Sequence, residues 1–521
     1  IGLQHDDGPA VGRESMSRGE ARGARTDDDG RFADSRHRAH IVSAVSTREV
    51  CGVVMAAIVL AVVATWPLGR QLDRYVLQAG TDASISGWAL AWAADRIPHG
   101  LAGFWTPPAF HPYRDVLAYS ENLLGVAVLV APILWLGGSL TLTYNVAFLL
   151  AYVVSAIGAY LLARDCTGSR AAAAIAAVAF VMLPYRVAQA GHLQVQWIGW
   201  TAVAMWALLR LLRQRTPTMI AVLVCAAVLQ ALSYGYAAFQ LALAAVIVTV
   251  WHFASGALPS RRALLPIGAA ATIGIAIVAP AIGAYGRVWN DRAPATSEIH
   301  HNSADLGAYL DVPDDMRTAG WLPGVTQPEG RLFPGVTVSL LAILSLVPLP
   351  RRWIGAHRIS WGMRGLLVAV ALAALLLSLG PEPRAWGTRL PIPSAYAMVA
   401  EWVPLFHVIR APARFGALTL LATTMLASIG VARLTTGRSR RMVVAIVAVL
   451  AAVIVFEGTP TVRAFTAGMP VLPDEDRRAY EWLAHEPAGA VLEVPIGSPG
   501  RVNFGLWAQY GALLHRHPVI N

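Results

Sequence analysis

Long runs of uncharged, apolar residues recur from Val50 almost to the end of the chain, and this alone settles the class of fold. In hydrocarbon every backbone N–H and C=O must find its partner within the protein, so such runs form membrane-spanning helices. Eleven of them begin at about residues 51, 142, 171, 197, 218, 235, 263, 334, 365, 414 and 442. The composition agrees, since only 14% of the 521 residues are charged, against roughly a quarter in a soluble domain. A soluble enzyme is excluded. The chain reads as an all-α polytopic membrane protein with about 11 transmembrane helices over residues 49–457.

A further run, Leu123 to Gly138, is ambiguous, and counting it as a span flips the side of every later loop. Arginine decides the matter. The net charge is +10, all 41 basic residues are arginine, and they cluster in short loops around Arg164, Arg210, Arg261, Arg351 and Arg433. If Leu123 to Gly138 lies along the membrane surface, all of these clusters fall on one side, which the positive-inside rule makes cytoplasmic. The expected topology has the N-terminus inside, the C-terminus outside, and outward loops at about 70–141, 286–333 and 381–413. Interfacial helices are expected in the first of these loops.

Charges placed between spans specify orientation and do not build a nucleic-acid face, so nucleic acid is discounted as a partner. The absence of lysine points to a GC-rich bacterial genome. Cys51, Cys166 and Cys225 have neither disulfide nor metal-ligand spacing. Residues 1–48 are polar and read as a disordered cytoplasmic tail, or as an artefact of the assigned start. At the other end, Pro473 to His485 looks helical and Ala490 to Pro495 looks like a short strand. Residues 458–521 are therefore expected to form a small outward α/β domain, truncated because too few residues remain to close a covered core.

The chemistry is expected outside. Asp82 precedes a segment in which Ile85, Trp88 and Trp92 recur at helical spacing, a stripe suited to the interface. Asp82 is read either as the N-cap of that helix or as a catalytic carboxylate at the membrane surface. Glu121 closes the same loop; it either caps the next helix or shares with Asp82 a divalent cation or the base and orienting roles. His192 lies in a short outward turn. Arg410 and Arg414 flank Ala-Pro-Ala at a span entrance; they either pair structurally, with lipid headgroups or with Glu401, or hold a phosphate through paired N–H donors.

These motifs, with Phe110-His-Pro112, Tyr119 to Gly125, Leu183-Pro-Tyr-Arg186, Leu332-Phe-Pro-Gly335 and Ile409 to Phe415, resemble bacterial multi-spanning proteins of the GT-C glycosyltransferase superfamily, in a poorly characterised branch. The resemblance covers about residues 50 to 500. It implies a first outward loop with an essential acidic residue, matching Asp82, and a sugar donor linked to polyprenyl phosphate. It further implies an inverting transfer to an envelope glycan, lipid or protein acceptor, at the outer face of the bacterial cytoplasmic membrane. On this reading Asp82 and Glu121 are catalytic, and Arg410, Arg414, His192, Trp88 and Trp92 bind substrate. The partners are membrane lipids and the lipid-linked donor, and no soluble cofactor is required. Many superfamily relatives carry an acidic residue where this chain has His192, a departure that bears on a carboxylate-held metal. Two other readings stand beside this one. A transporter or flippase normally carries ionisable groups within its spans, and the central stretches here contain none. A non-catalytic envelope protein that keeps the same scaffold as a lipid-binding or assembly module is the second rival, since the diagnostic carboxylate is single and fold does not imply activity.

Overall fold

The computed structural model describes residues 46–521 apart from 78–79, 255–260, 292–293, 328, 349–360, 404–405, 407, 464, 495–503 and 521. The expected polar tail and the arginines at 351 and 352 lie outside the described residues. Residues 48–521 form one compact unit. Its principal helices are α1 (Thr47–Thr65), α2 (Thr81–Arg96), α3 (Leu124–Trp135), α4 (Leu140–Thr167), α5 (Arg170–Val181), α6 (Gly199–Gln214), α7 (Pro217–Ser233) and α8 (Gly235–Ala254). They continue with α9 (Arg261–Asp291), α10 (Val336–Leu346), α11 (Trp361–Ser378), α12 (Ala395–Trp402), α13 (Gly416–Thr435), α14 (Arg440–Gly458), α15 (Asp474–Leu483) and α16 (Phe504–His515).

All eleven predicted segments are helical. Among the described residues eight helices are long and apolar enough to cross a membrane; α7, α10 and the apolar part of α11 (Gly362–Ser378) are shorter. The centre of the bundle is α13, whose apolar stretch is 94% buried, whereas that of α9 is 11% buried and turns its side chains outward. Apolar lipid supplies no hydrophobic force between helices, so close backbone approach has to hold the centre together. Gly430 of α13 provides it: a Cβ there would collide with the carbonyl of Leu341 in α10. Gly199 likewise lets α6 cross the backbone of Ser155 in α4.

The Leu123–Gly138 run forms the 12-residue α3, about 18 Å long at 1.5 Å per residue, which is too short for a hydrocarbon core of roughly 30 Å. Ion pairs place it independently. Glu49, at the start of α1, receives Arg164 (3.2 Å) from the end of α4 and Arg170 (2.6 Å) from the start of α5. The chain therefore leaves this end of the bundle in α1 and returns to it only in α4, so α3 does not cross. Asp165 gathers Arg210 (3.1 Å) and Arg213 (2.8 Å) at the same end. The membrane sidedness of the two ends is testable by labelling. A cysteine at Thr388, exposed on the hairpin Arg384–Arg389, is expected to react with an impermeant maleimide in intact cells, and one at exposed Arg438 only after permeabilisation. The reverse pattern would invert the orientation.

The opposite end carries the irregular structure. Strand β1 (Tyr75–Leu77), just after α1, pairs antiparallel with β4 (Phe465–Ala467), just after the last long helix, with Tyr75 opposite Ala467. A second pair, β2 (Arg384–Ala385) and β3 (Thr388–Arg389), is a tight hairpin. The buried Asp305 pins it by accepting the N–H groups of Trp386 (2.7 Å) and Gly387 (2.8 Å). Beyond β4, α15 forms where helix was expected. The strand predicted at Ala490–Pro495 reduces, among its described residues, to a single bridge between Val491 and Val519. Val491 packs against Ala508, Ala512 and Val519, while Leu492 and Val494 on the other face are largely exposed, so only one face of the segment is covered. This region packs onto α2 instead: Gln509 accepts the indole N–H of Trp88 (3.0 Å), and the Tyr510 hydroxyl donates to the carbonyl of Ser84 (2.8 Å).

Candidate active site at the irregular end of the bundle

Helix α2 begins at Thr81 with Gly80, in extended conformation, as its N-cap. Asp82 is therefore a first-turn residue and not the cap, which corrects the N-cap reading and leaves its carboxylate available. That side chain is 62% exposed and meets Nε2 of His192 at 3.4 Å. His192 holds the Asp82 carboxyl below the usual carboxylate range; burial opposes this, and the charges of Arg414 and Arg410 add to it. A carboxylate that is both accessible and firmly ionised suits an orienting base.

The two arginines precede α13 on a 3₁₀ turn, Pro412–Phe415. Arg414 is 5% exposed and grips Glu329 with both Nη2 (2.7 Å) and Nε (3.2 Å). Burial alone would raise the Glu329 carboxyl, but Arg414, aided by His192 and Gln189, keeps it below the usual range. Arg410 is half exposed, with Glu298 at 3.3 Å, and its backbone N–H donates to the hydroxyl of Tyr236. Neither arginine uses Glu401, the partner expected from sequence proximity. Glu329 and Glu298 take that place, and both come from the loop between α9 and α10. Glu329 was missed because it sits in Gln327-Pro-Glu-Gly330, which has no helical or strand period. An acidic residue on an outward loop was the only signal it offered.

Glu121 does not cap the helix that follows it. The N-cap is Leu123, and Asn122 before it accepts the N–H of Leu124 (2.9 Å). Glu121 instead reaches across to the start of α8, where it accepts the N–H of Gly235 (2.9 Å). Burial raises its carboxyl above the usual range despite the pull of Gly235, Arg414 and Arg410. Asp82 and Glu121 thus lie in environments that push their protonation in opposite directions. Among the described residues no three His, Cys, Asp or Glu side chains form a metal-ligand group.

The loop that presents His192 is wired by Arg186, which has no carboxylate partner among the described residues. Its guanidinium bonds to the Phe180 carbonyl (3.1 Å), to Gln196 (3.3 Å) and to the Ser155 hydroxyl, and lies 4.6 Å from the Tyr152 ring centroid. Gln196 returns a bond to the carbonyl of Gln189 (2.7 Å), and Gln189 donates to Glu329 (3.1 Å). The same loop therefore addresses Asp82 through His192 and Arg414 through Glu329. Close to these charges, the hydroxyls of Tyr185 and Tyr234, Oε1 of Gln189 and Nδ1 of His192 are buried without a partner among the described residues.

Trp88 and Trp92 lie elsewhere. Both are buried, and their indole N–H groups are taken by the carbonyls of Gln509 (3.0 Å) and Phe104 (2.8 Å). Their stripe holds α2 to its neighbours within the protein, so the structure does not bring them to the Asp82 cluster.

The model of a family described as a domain of unknown function, DUF6311, matches residues 53–455. No curated protein matches the chain in sequence. Among solved structures, the archaeal oligosaccharyltransferase AglB from Archaeoglobus fulgidus, in complex with an inhibitory peptide and a dolichol-phosphate, is similar in fold. The TM-score is 0.50 at 14% identity, over 90% of this chain and 64% of that one. The apo form of the Archaeoglobus fulgidus oligosaccharyltransferase matches to the same degree. The chain thus spans just under two thirds of these proteins' length and is similar to them in fold.

Proposed function

We propose that this chain, which belongs to the DUF6311 family, is a membrane glycosyltransferase. It moves a sugar from a polyprenyl-phosphate-linked donor to an envelope glycan, lipid or protein acceptor at the outer face of the cytoplasmic membrane, with inversion. One juxtaposition carries this reading: an exposed, ionised carboxylate, Asp82, lies within the field of Arg410 and Arg414 at one end of an apolar helical bundle. The dolichol-phosphate in the complex of the similar archaeal enzyme supports the choice of donor class.

In the proposed transfer the acceptor oxygen bonds to the anomeric carbon as the bond from that carbon to the phosphate oxygen breaks. The lipid phosphate leaves with the electron pair, and the acceptor proton passes to Asp82. A phosphate leaves as a stable anion, so the site has to supply positive charge rather than an acid. Arg410 is placed to supply it directly, because its bond to Glu298 is largely exposed and such pairs are worth at most about 1 kcal/mol. Arg414 is committed to Glu329 and contributes through its field. Glu121 holds the start of α8 and, with it, Tyr236 beneath Arg410.

Two expected results follow from this division. Arg410→Lys keeps the charge but loses the planar fork, and is expected to weaken binding of a lipid-phosphate sugar about ten- to a hundredfold. Affinity for the corresponding lipid alcohol should stay unchanged; equal losses for both lipids would remove Arg410 from the phosphate site. His192→Gln removes the main influence holding the Asp82 carboxyl down. Transfer needs the ionised form, so activity is present above the Asp82 pKa and lost as pH falls through it. In the variant that pKa rises toward the usual carboxylate range, and the acid limb of the pH–rate profile should move to higher pH. Superimposable acid limbs would show that His192 does not act on Asp82.

The reading as a whole is tested by supplying purified protein with polyprenyl-phosphate sugars and acceptor and following glycosylated product. Comparing lipid-linked sugars and envelope glycans in a deletion strain separates it from the transporter and scaffold readings. A transferase leaves donor unconsumed and product missing, whereas a flippase leaves its cargo on the inner face.

A further inference from the structure

Some distance from the Asp82 cluster, a cleft of about 440 Å³ opens between the first loop and the segment after α16. Its lining includes Arg96, Pro107, His111, Tyr113, Arg516 and Pro518, and no carboxylate is among the lining residues. The volume is that of a small-ligand site. Arg96 and Arg516 lie 4.7 and 5.8 Å from the ring centroid of Trp92, and both pair with one carboxylate, that of Asp95. Two cations share one anion here, so the wall keeps a net positive charge. Each guanidinium carries five N–H donors; the bonds of Arg516 to Asp95 use two of its nitrogens (3.1 and 2.6 Å), and its side chain is 44% exposed.

The backbone is shaped around this opening. Phe110 (φ 56) and Arg516 (φ 63) stand in the left-handed region that side-chain-bearing residues rarely adopt, a cost that tends to collect at binding sites. The Val519 carbonyl accepts the N–H of His111 (2.7 Å), fastening one rim to the other. The flat walls offered by Pro107, Pro518 and the ring of Tyr113 suit the C–H face of a pyranose, and the guanidinium pair suits an anion carried on it.

We propose that this cleft binds an acidic sugar unit, bearing a carboxylate or a phosphate, of the acceptor glycan. The inference rests on the glycosyltransferase reading for the word acceptor, and on the cleft itself for the anionic sugar. Asp82 and Arg96 stand at opposite ends of α2, about 21 Å apart at 1.5 Å per residue. A sugar in the cleft is therefore several units away from the one being extended, and the cleft acts as a distal grip that favours long, acidic acceptors over short or neutral ones.

The test measures equilibrium binding of defined oligosaccharides to the purified full-length Asp82→Asn protein, so that its outcome does not depend on transfer. A uronic-acid hexasaccharide and a hexasaccharide phosphate are compared with a carboxyl-reduced neutral hexasaccharide. At least one acidic probe is expected to bind ten times or more tighter than the neutral one, and which of the two does so identifies the anion. Arg516→Gln should remove that difference, with unchanged melting showing that the variant is folded. Equal affinity for acidic and neutral probes, no binding at millimolar concentration, or undiminished binding by a folded Arg516→Gln protein would each overturn the proposal. Binding of an acidic probe by the Asp82→Asn protein, alongside wild-type protein that transfers no sugar from any lipid-linked donor, would uphold the cleft and defeat the transferase reading, so the two failures are distinguishable.

Discussion

Asp82→Asn is expected to lower sugar transfer by about 10²- to 10⁴-fold, the usual contribution of a positioned proton acceptor, while the folded protein is recovered in normal amount. The substitution is isosteric, and the amide oxygen still accepts from Nε2 of His192. The N-cap of α2 is Gly80, so no capping bond is lost. What remains is the interaction of a first-turn carboxylate with the helix dipole, typically 0.3 to 1 kcal/mol near a surface. A rate measurement with matched melting curves separates the two effects. Asp82→Ala should be as inactive as Asp82→Asn and only slightly less stable. Wild-type turnover in folded Asp82→Asn protein would leave the carboxylate with no chemical part to play.

Arg414→Met should give the largest stability loss at the site, about 3 to 5 kcal/mol, because it strands the carboxylate of Glu329 in a buried setting. Removing both charges, as Arg414→Met with Glu329→Met, should recover most of that loss, since a buried pair replaced by apolar groups is often neutral. Unfolding in detergent by denaturant, run as a double-mutant cycle, gives the coupling between the two residues. Activity should not return with stability: the refilled pair is folded but has lost the buried positive charge beside Asp82. A double variant that is both stable and fully active would reduce Arg414 to scaffolding, and a single variant of wild-type stability would deny the pairing.

Hydropathy made the helices legible because a hydrocarbon core tolerates few other arrangements of backbone. All eleven segments it marked are helical, though it overstated the length of the one at 334, where Val336–Leu346 is only 11 residues long. Asp82, His192, Arg410 and Arg414 were legible as a group only through outward placement, and the structure brings them to one cluster. Their carboxylate partners were not. Glu329 reaches Arg414 across 85 positions of sequence, and nothing local in a Pro-Glu-Gly turn announces such a contact. Trp88 and Trp92 formed a true helical stripe, but a stripe does not say what covers it. The cover is protein, supplied in part by Gln509, 421 residues after Trp88. The strand expected at Ala490 shrank for the converse reason: among its described residues the apolar run finds a neighbour at Val491 only, and Leu492 and Val494 are left exposed.

The pairing of β1 with β4 has a consequence for the order in which the molecule is made. Tyr75 leaves the ribosome early and waits for Ala467, which emerges only after the last long helix. Throughout that interval the loop bearing Asp82 has no β4 to pair with and no α16 to lie under α2. Insertion of the bundle and closure of its irregular end are thus separable steps, and closure over so long an intervening chain is the slower kind. A nascent chain that has reached only Gly458 has its long helices and still lacks the strand that pairs with Tyr75–Leu77, so the irregular end is completed after the bundle rather than along with it.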